Sequence, residues 1–385
     1  MSVSPAASRE ERALRALGAD EADLPTLLEY TESPYAVAAR APLRLPLDDE
    51  PHVAVWREYA AAADIEGAEA VLRRVFVQLG FPIADGIADS EPYHAATRRG
   101  ELSDGASATA GCELVAPGGI RIAIHESLAG GIPLLIIPER ADFVTLMRAL
   151  SARNSPEAVP DSMGALTVGG YNNWDRVRRY RTAWEAAGAT GGWEEEFRRL
   201  IPRKALYQDR FVLVSTGPYS GVPAATLGLE ADEWATLSAT LRAEHEATHY
   251  FTRRVFGAMR SNLFDEVVAD TMGVLAAAGR FRQDWLLRFM GLTSYPAYRA
   301  GARLENYLGD PPLSDSASAI VRSLVHAAIV NLARFDAYLP GQDLDLTGRA
   351  RRLITLCRFD LVALAGPDAA DRLLAEYTTL DRATA

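Results

Sequence analysis

The sequence predicts an α+β protein, predominantly helical, with a small β-hairpin or sheet in the front half and an all-helical C-terminal half carrying a two-helix metal site. Three observations predict this. Apolar residues recur at three- and four-residue spacing through most of the chain, the period of an amphipathic helix. Two β-rich runs flank a glycine turn near residue 130. Two histidines four residues apart fall on a helical pattern after residue 232, followed by a Glu/Asp pair also four apart.

In order along the chain, residues 9–17, 22–30 and 55–79 read as helices, with an extended Pro-rich connector at 41–46. Residues 83–110 are small and polar and read as a long loop. Residues 121–125 and 133–138 read as strands joined through Ala129-Gly130-Gly131. A helix over 141–152 follows. The Gly-, Asn- and aromatic-rich passage 160–174 suits a shaped loop, and Asn173 is placed to cap a helix over 175–187. Residues 210–215 read as a short strand, either in the core or at an edge where an extended substrate adds as a further strand. Beyond Asp232 the pattern is helical almost to the end. At 385 residues the chain exceeds what one core usually organises, which predicts an α+β lobe over 1–228 and a helical metal-binding lobe over 229–385.

Composition narrows the function. A net charge of −11 argues against nucleic acid or an anionic membrane as a main partner. Cys112 and Cys357, the only cysteines, build neither a disulfide framework nor a cysteine zinc knot. The first residues lack an apolar signal region, and no run approaches 18 uninterrupted apolar residues, so a cytoplasmic protein is expected. Lys204 is the only lysine among 40 basic residues, a bias expected of a GC-rich bacterial genome. It leaves no phosphate-loop or Schiff-base lysine elsewhere.

His245-Glu246-Ala247-Thr248-His249 carries the chemistry. Two imidazoles one helical turn apart can bind the same cation, while the glutamate between them stands beside it. Glu266, seventeen residues on, starts a second helix capped by Asn262 and supplies a third ligand; a short connection over 257–261 makes the helices antiparallel neighbours. Two neutral imidazoles and a carboxylate suit a borderline cation such as Zn²⁺, one per chain, and leave a position for water. Glu246 then serves as general base and Asp270 accepts the free ring N–H of a ligand histidine.

His245-Glu246-x-x-His249 followed by Glu266-x-x-Ala269-Asp270 resembles the gluzincin metallopeptidases, the group of thermolysin and the aminopeptidase N family, over residues 240–275. The resemblance implies His245, His249 and Glu266 as zinc ligands, Glu246 as base and Asp270 as the partner of a ligand histidine. An exopeptidase Gly-Ala-Met-Glu-Asn signature is absent, and Glu244 makes the motif helix more polar than is usual for the group. An oxyanion donor is sought among Tyr295, Tyr298, Arg299, Arg303 and Tyr307, with Tyr298 and Arg299 first. His52, His94, His125 and His326 receive no role.

The expectation is a cytoplasmic zinc-dependent hydrolase acting on the amide or peptide carbonyl of a peptide or small molecule. The alternatives are a small-molecule tailoring metalloenzyme using the same site and a non-catalytic protein braced by the metal.

Overall fold

The computed structural model describes residues 8–33, 35, 44–101, 111–188, 190–257, 262–339 and 344–384, with side chains up to residue 380. The expected connection at 258–261, the first half of the connector at 41–46 and the end of the loop at 102–110 lie outside the described residues. The α+β, predominantly helical class is observed.

The chain divides into two compact units, and the division differs from the expected one. One unit joins Met1–Pro46 to Pro218–Ala385; the other is Leu47–Gly217. The boundary expected near 228 falls at 217, and the N-terminal helices belong with the C-terminal ones. Hydrophobic periodicity identified those helices but could not say which distant face they cover.

The first unit begins with α1 (Arg9–Ala16), capped by the Ser8 hydroxyl, and α2 (Leu24–Thr31). Leu14 and Leu27 are fully buried. The Tyr30 hydroxyl accepts from the Leu263 amide at 3.2 Å and donates to the Tyr307 carbonyl at 2.7 Å. Tyr35 donates to Asp265 at 2.8 Å and stacks on Phe256.

The second unit opens with α3 (Val53–Glu66) and α4 (Ala68–Val75). The single helix expected over 55–79 is interrupted because Gly67 takes φ +88°, a region L-residues avoid, and ends in a 3-10 turn, Val77–Gly80. The stretch read as a loop after residue 83 contains the one-turn helix α5 (Glu91–His94). Strands β1 (Arg121–Ser127) and β2 (Gly130–Ile137) form the expected hairpin, with Ser127 opposite Gly130. The connection is therefore Leu128-Ala129, and both glycines belong to β2. After α6 (Arg140–Ser151) comes β3 (Ala165–Asn172), a strand where a shaped loop was expected. A register shift between Gly169 and Tyr171 accommodates the glycines that disguised it.

Then follow α7 (Trp174–Ala186), α8 (Trp193–Leu200) and β4 (Gln208–Ser215). Asn173 caps α7, accepting from the amides of Asp175 and Arg176. The sheet order is β1-β2-β4-β3, with β4 parallel to β2 and antiparallel to β3. Strand β4 is interior, so the reading of it as a substrate-binding edge is corrected: β2 pairs it over Val212–Ser215 and β3 over Gln208–Val214. Trp56, Phe76, Tyr171 and Phe211 pack as an aromatic cluster in the core on this sheet.

The chain re-enters the first unit through a tight turn at Tyr219–Gly221. The long α9 (Ala231–Phe256) ends at Gly257 in the left-handed conformation, and α10 (Leu263–Ala278) is capped by Asn262. A Cβ on Gly273 would lie 2.8 Å from the Leu241 carbonyl, so this glycine permits α9 and α10 to pack backbone against backbone. The remaining helices are α11 (Gln283–Met290), α12 (Asp315–Tyr338), α13 (Leu346–Cys357), α14 (Leu361–Ala365) and α15 (Ala369–Thr384). By length and composition α12 could cross a membrane, but 56% of its apolar window is buried inside the fold, where Val321, Val325, Ala328 and Ile329 are fully enclosed.

Candidate metal centre

His245 and His249 project from consecutive turns of α9 toward the first two turns of α10, which present Glu266 and Asp270. The two Nε2 atoms are 3.1 Å apart. His245 Nε2 lies 3.5 Å from Glu266 Oε2, and His249 Nε2 lies 3.3 Å from Glu266 Oε1. The other nitrogen of His245, Nδ1, is 2.8 Å from Asp270 Oδ1. Asp270 is fully buried, and in the tautomer that donates Nδ1–H to its carboxylate the Nε2 lone pair faces His249 and Glu266.

The two imidazole nitrogens, and each of them with the nearer Glu266 oxygen, stand close to the spacing of donors around a metal ion. Ligands about 2.0–2.1 Å from a tetrahedral centre stand about 3.3–3.4 Å from one another. One ligand atom from each of His245, His249 and Glu266 falls within 4.8 Å of the others, and no other such group of His, Cys, Asp or Glu occurs among the described residues. The donor set of two imidazoles and one carboxylate matches a cation of borderline softness. Glu246 is half-buried on the turn between the histidines, near enough for its charge to act on His249.

Two further side chains complete the cluster. Arg303, from the turn Arg303–Tyr307, directs Nη1 to Asp270 at 2.9 and 3.1 Å and to the Tyr219 hydroxyl at 2.5 Å. Its Nη2 donates to Glu266 Oε2 and lies 3.3 Å from His245 Nε2. Tyr219 donates to Asp270 Oδ1 at 2.5 Å, and the guanidinium groups of Arg242 and Arg303 each lie over its ring. Ser220, the next residue, has φ +51°, a strained conformation for a residue with a side chain.

The cluster perturbs its own titrations. Burial acts to lower His249, yet the hydrogen bond and charge of Glu266, with Glu246 and Asp265 behind, raise it to about 9. Burial acts to raise Glu266 and Asp270, but Arg303 first and the histidines next hold both below the usual carboxylate range. Burial opposes the charge on Arg303, and the surrounding anions keep it firmly protonated. Burial pushes the Tyr219 phenol well up, so it remains a hydrogen-bond donor.

The structure thus brings His245, His249, Glu266 and Asp270 together, with Glu246 alongside. It does not bring in Tyr298 or Arg299. The Tyr298 hydroxyl meets the Ala302 carbonyl and Glu305, and its ring lies under Arg322. Arg299 is exposed and reaches the Arg288 carbonyl. From the same polar cluster Arg303 and Tyr307 face the site instead, because the segment after α11 turns irregularly and not with the helical spacing expected of it. Tyr219 was missed altogether: it lies in a turn 26 residues before His245, and nothing in the local sequence signals its partner. Glu244, the residue that made the motif helix unusually polar, is buried and faces Arg349 of α13 at 3.7 Å.

Fold and site together define a class: an α+β protein whose helical unit encloses a histidine–carboxylate cluster able to hold a metal ion. The chain belongs to a family described as a family of unknown function, DUF7005, whose model matches residues 12–368. No curated protein and no solved structure matches it.

Proposed function

We propose that this protein is a zinc-dependent hydrolase with a gluzincin-like site, in which water attacks an amide or peptide carbonyl. The observation that supports this reading is the donor geometry: one ligand atom from each of His245, His249 and Glu266 lies within 4.8 Å of the others, with His245 oriented by Asp270. His245, His249 and Glu266 would hold the zinc, which would supply a Lewis acid for the carbonyl and for water. Glu246 takes the proton of the attacking water and returns it to the leaving group. Asp270 and Tyr219 hold the His245 ring in place, and Arg303 brings positive charge to a site where negative charge develops on the substrate oxygen. Two buried free cysteines accord with the cytoplasm as its location.

A narrow small-molecule substrate is the second reading, favoured by the depth of the cluster: Glu266 is 5% exposed and His245 6%, while His249, Glu246 and Arg303 are half-buried. The test is direct. Purified protein is expected to carry about one zinc per chain, as a single three-ligand site requires, and His245→Ala to lose it. Protein that takes up no divalent metal under any condition overturns the reading. Cleavage of a peptide library selects the peptidase form, whereas turnover of a single metabolite class selects the other.

A further inference from the structure

Arg303 occupies a position that the metal reading alone does not explain. Its Nη2 lies on the lone pairs of two of the three proposed ligands, Glu266 Oε2 and His245 Nε2. Its Nη1 is anchored separately, on both oxygens of Asp270 and on the Tyr219 hydroxyl. Two carboxylates this deeply buried need compensating charge, since an unpaired buried anion is strongly destabilising. A guanidinium supplies it in the form carboxylates bind best, a planar fork with two N–H edges.

We propose that Arg303 is a positioning residue and an internal competitor for the metal: it holds Glu266 and Asp270 together in the metal-free protein and must release Glu266 when a divalent cation binds. The inference rests on the metal-centre reading above. Because the anchor on Asp270 and Tyr219 does not involve the ligand donors, only the Nη2 edge has to move. The site is therefore assembled before the metal arrives, and the contact between Arg303 and Glu266 lowers its metal affinity. No bond is made or broken in the exchange; one set of charge-assisted hydrogen bonds gives way to coordination.

The sign of the effect on affinity separates this role from a merely structural one. Removing a structural brace loosens the ligands and weakens metal binding; removing a competitor strengthens it. Zinc is titrated against a chromophoric chelator into metal-free wild-type, Arg303→Met and Arg303→Lys proteins at one pH. Loss of one charge-assisted hydrogen bond predicts zinc binding tighter by about 10- to 100-fold in Arg303→Met. Arg303→Lys keeps the charge without the fork, so it guards against a Met variant that fails to fold and is expected to shift in the same direction by less. The metal-free Met variant is further expected to melt below wild type and to recover on adding zinc. If wild type binds zinc and neither variant binds it more tightly, the competitor role is wrong while the metal centre stands. If no form binds zinc, both fall.

Discussion

His249 shows how much chemistry one position carries. In the metal-free protein its imidazolium faces Glu266, and its pKa stands at about 9 against an ordinary 6.5. A pKa raised in the folded state contributes stability that is fully present below the unfolded value and is lost as pH rises through the folded one. Chelator-treated protein is therefore expected to lose melting temperature between about pH 6.5 and 9, whereas zinc-loaded protein, whose His249 is already deprotonated, should not follow that slope. Melting curves of the metal-free form that stay flat across this window would show that the His249–Glu266 ion pair does not form. Two neighbours act differently. Glu246→Gln is expected to keep zinc and to lose about 10²- to 10⁴-fold in turnover, the usual contribution of a general base; full activity with bound metal removes Glu246 from that role. Asp270→Ala takes the acceptor from His245 Nδ1 and is expected to weaken zinc binding about 10- to 100-fold, measured by chelator competition.

At the scale of elements, the site depends on how closely α9 and α10 approach. The proposed ligands, the two histidines and Glu266, belong to different helices, so their separation is set by the packing between them, and at Gly273 that packing leaves no room for a Cβ beside the Leu241 carbonyl. Gly273→Val would drive a branched side chain into the Leu241 carbonyl and is expected to cost about 1–3 kcal/mol, as overpacking does. It is also expected to reduce zinc binding, although residue 273 touches no ligand; unchanged zinc affinity in a folded Gly273→Val protein would show that the helix spacing does not govern the site. The start of α10 is held from two sides, by the Asn262 cap within the helix and by Tyr30 and Tyr35 from the N-terminal segment. That bracing positions Glu266 one turn further on.

Across the whole molecule, the unit that holds the site is discontinuous in sequence, whereas Leu47–Gly217 is continuous and carries its own sheet and core. A fragment of residues 47–217 is expected to fold alone, with cooperative melting by circular dichroism. A fragment of residues 218–385 is expected not to, because it leaves the amide of Leu263 and the buried Asp265 without their tyrosine partners. Cooperative melting of the shorter C-terminal fragment at the temperature of the full chain would contradict this account. Zinc at about a thousandfold above its dissociation constant is expected to stabilise the site-bearing unit by about 4 kcal/mol.

What the sequence determined by itself is what short-range physics controls. Helical periodicity placed α9, Gly257 stopped it, Asn262 capped α10, and a spacing of four put each pair on one face of its helix. Those local rules suffice to identify His245, Glu246, His249, Glu266 and Asp270, because side chains a turn apart on a helix are neighbours whatever the rest of the chain does. The hairpin was legible for the same reason. Strand β3 was not, since its glycines read as a loop until β4 supplied hydrogen bonds along its length. Tertiary structure alone decided that Tyr219 and Arg303 close the cluster, that Tyr298 and Arg299 do not, and that Tyr30 and Tyr35 of the N-terminal segment brace α10. Each of those contacts joins residues far apart in the chain through packing and buried charge, and no local pattern in the sequence specifies such a pairing.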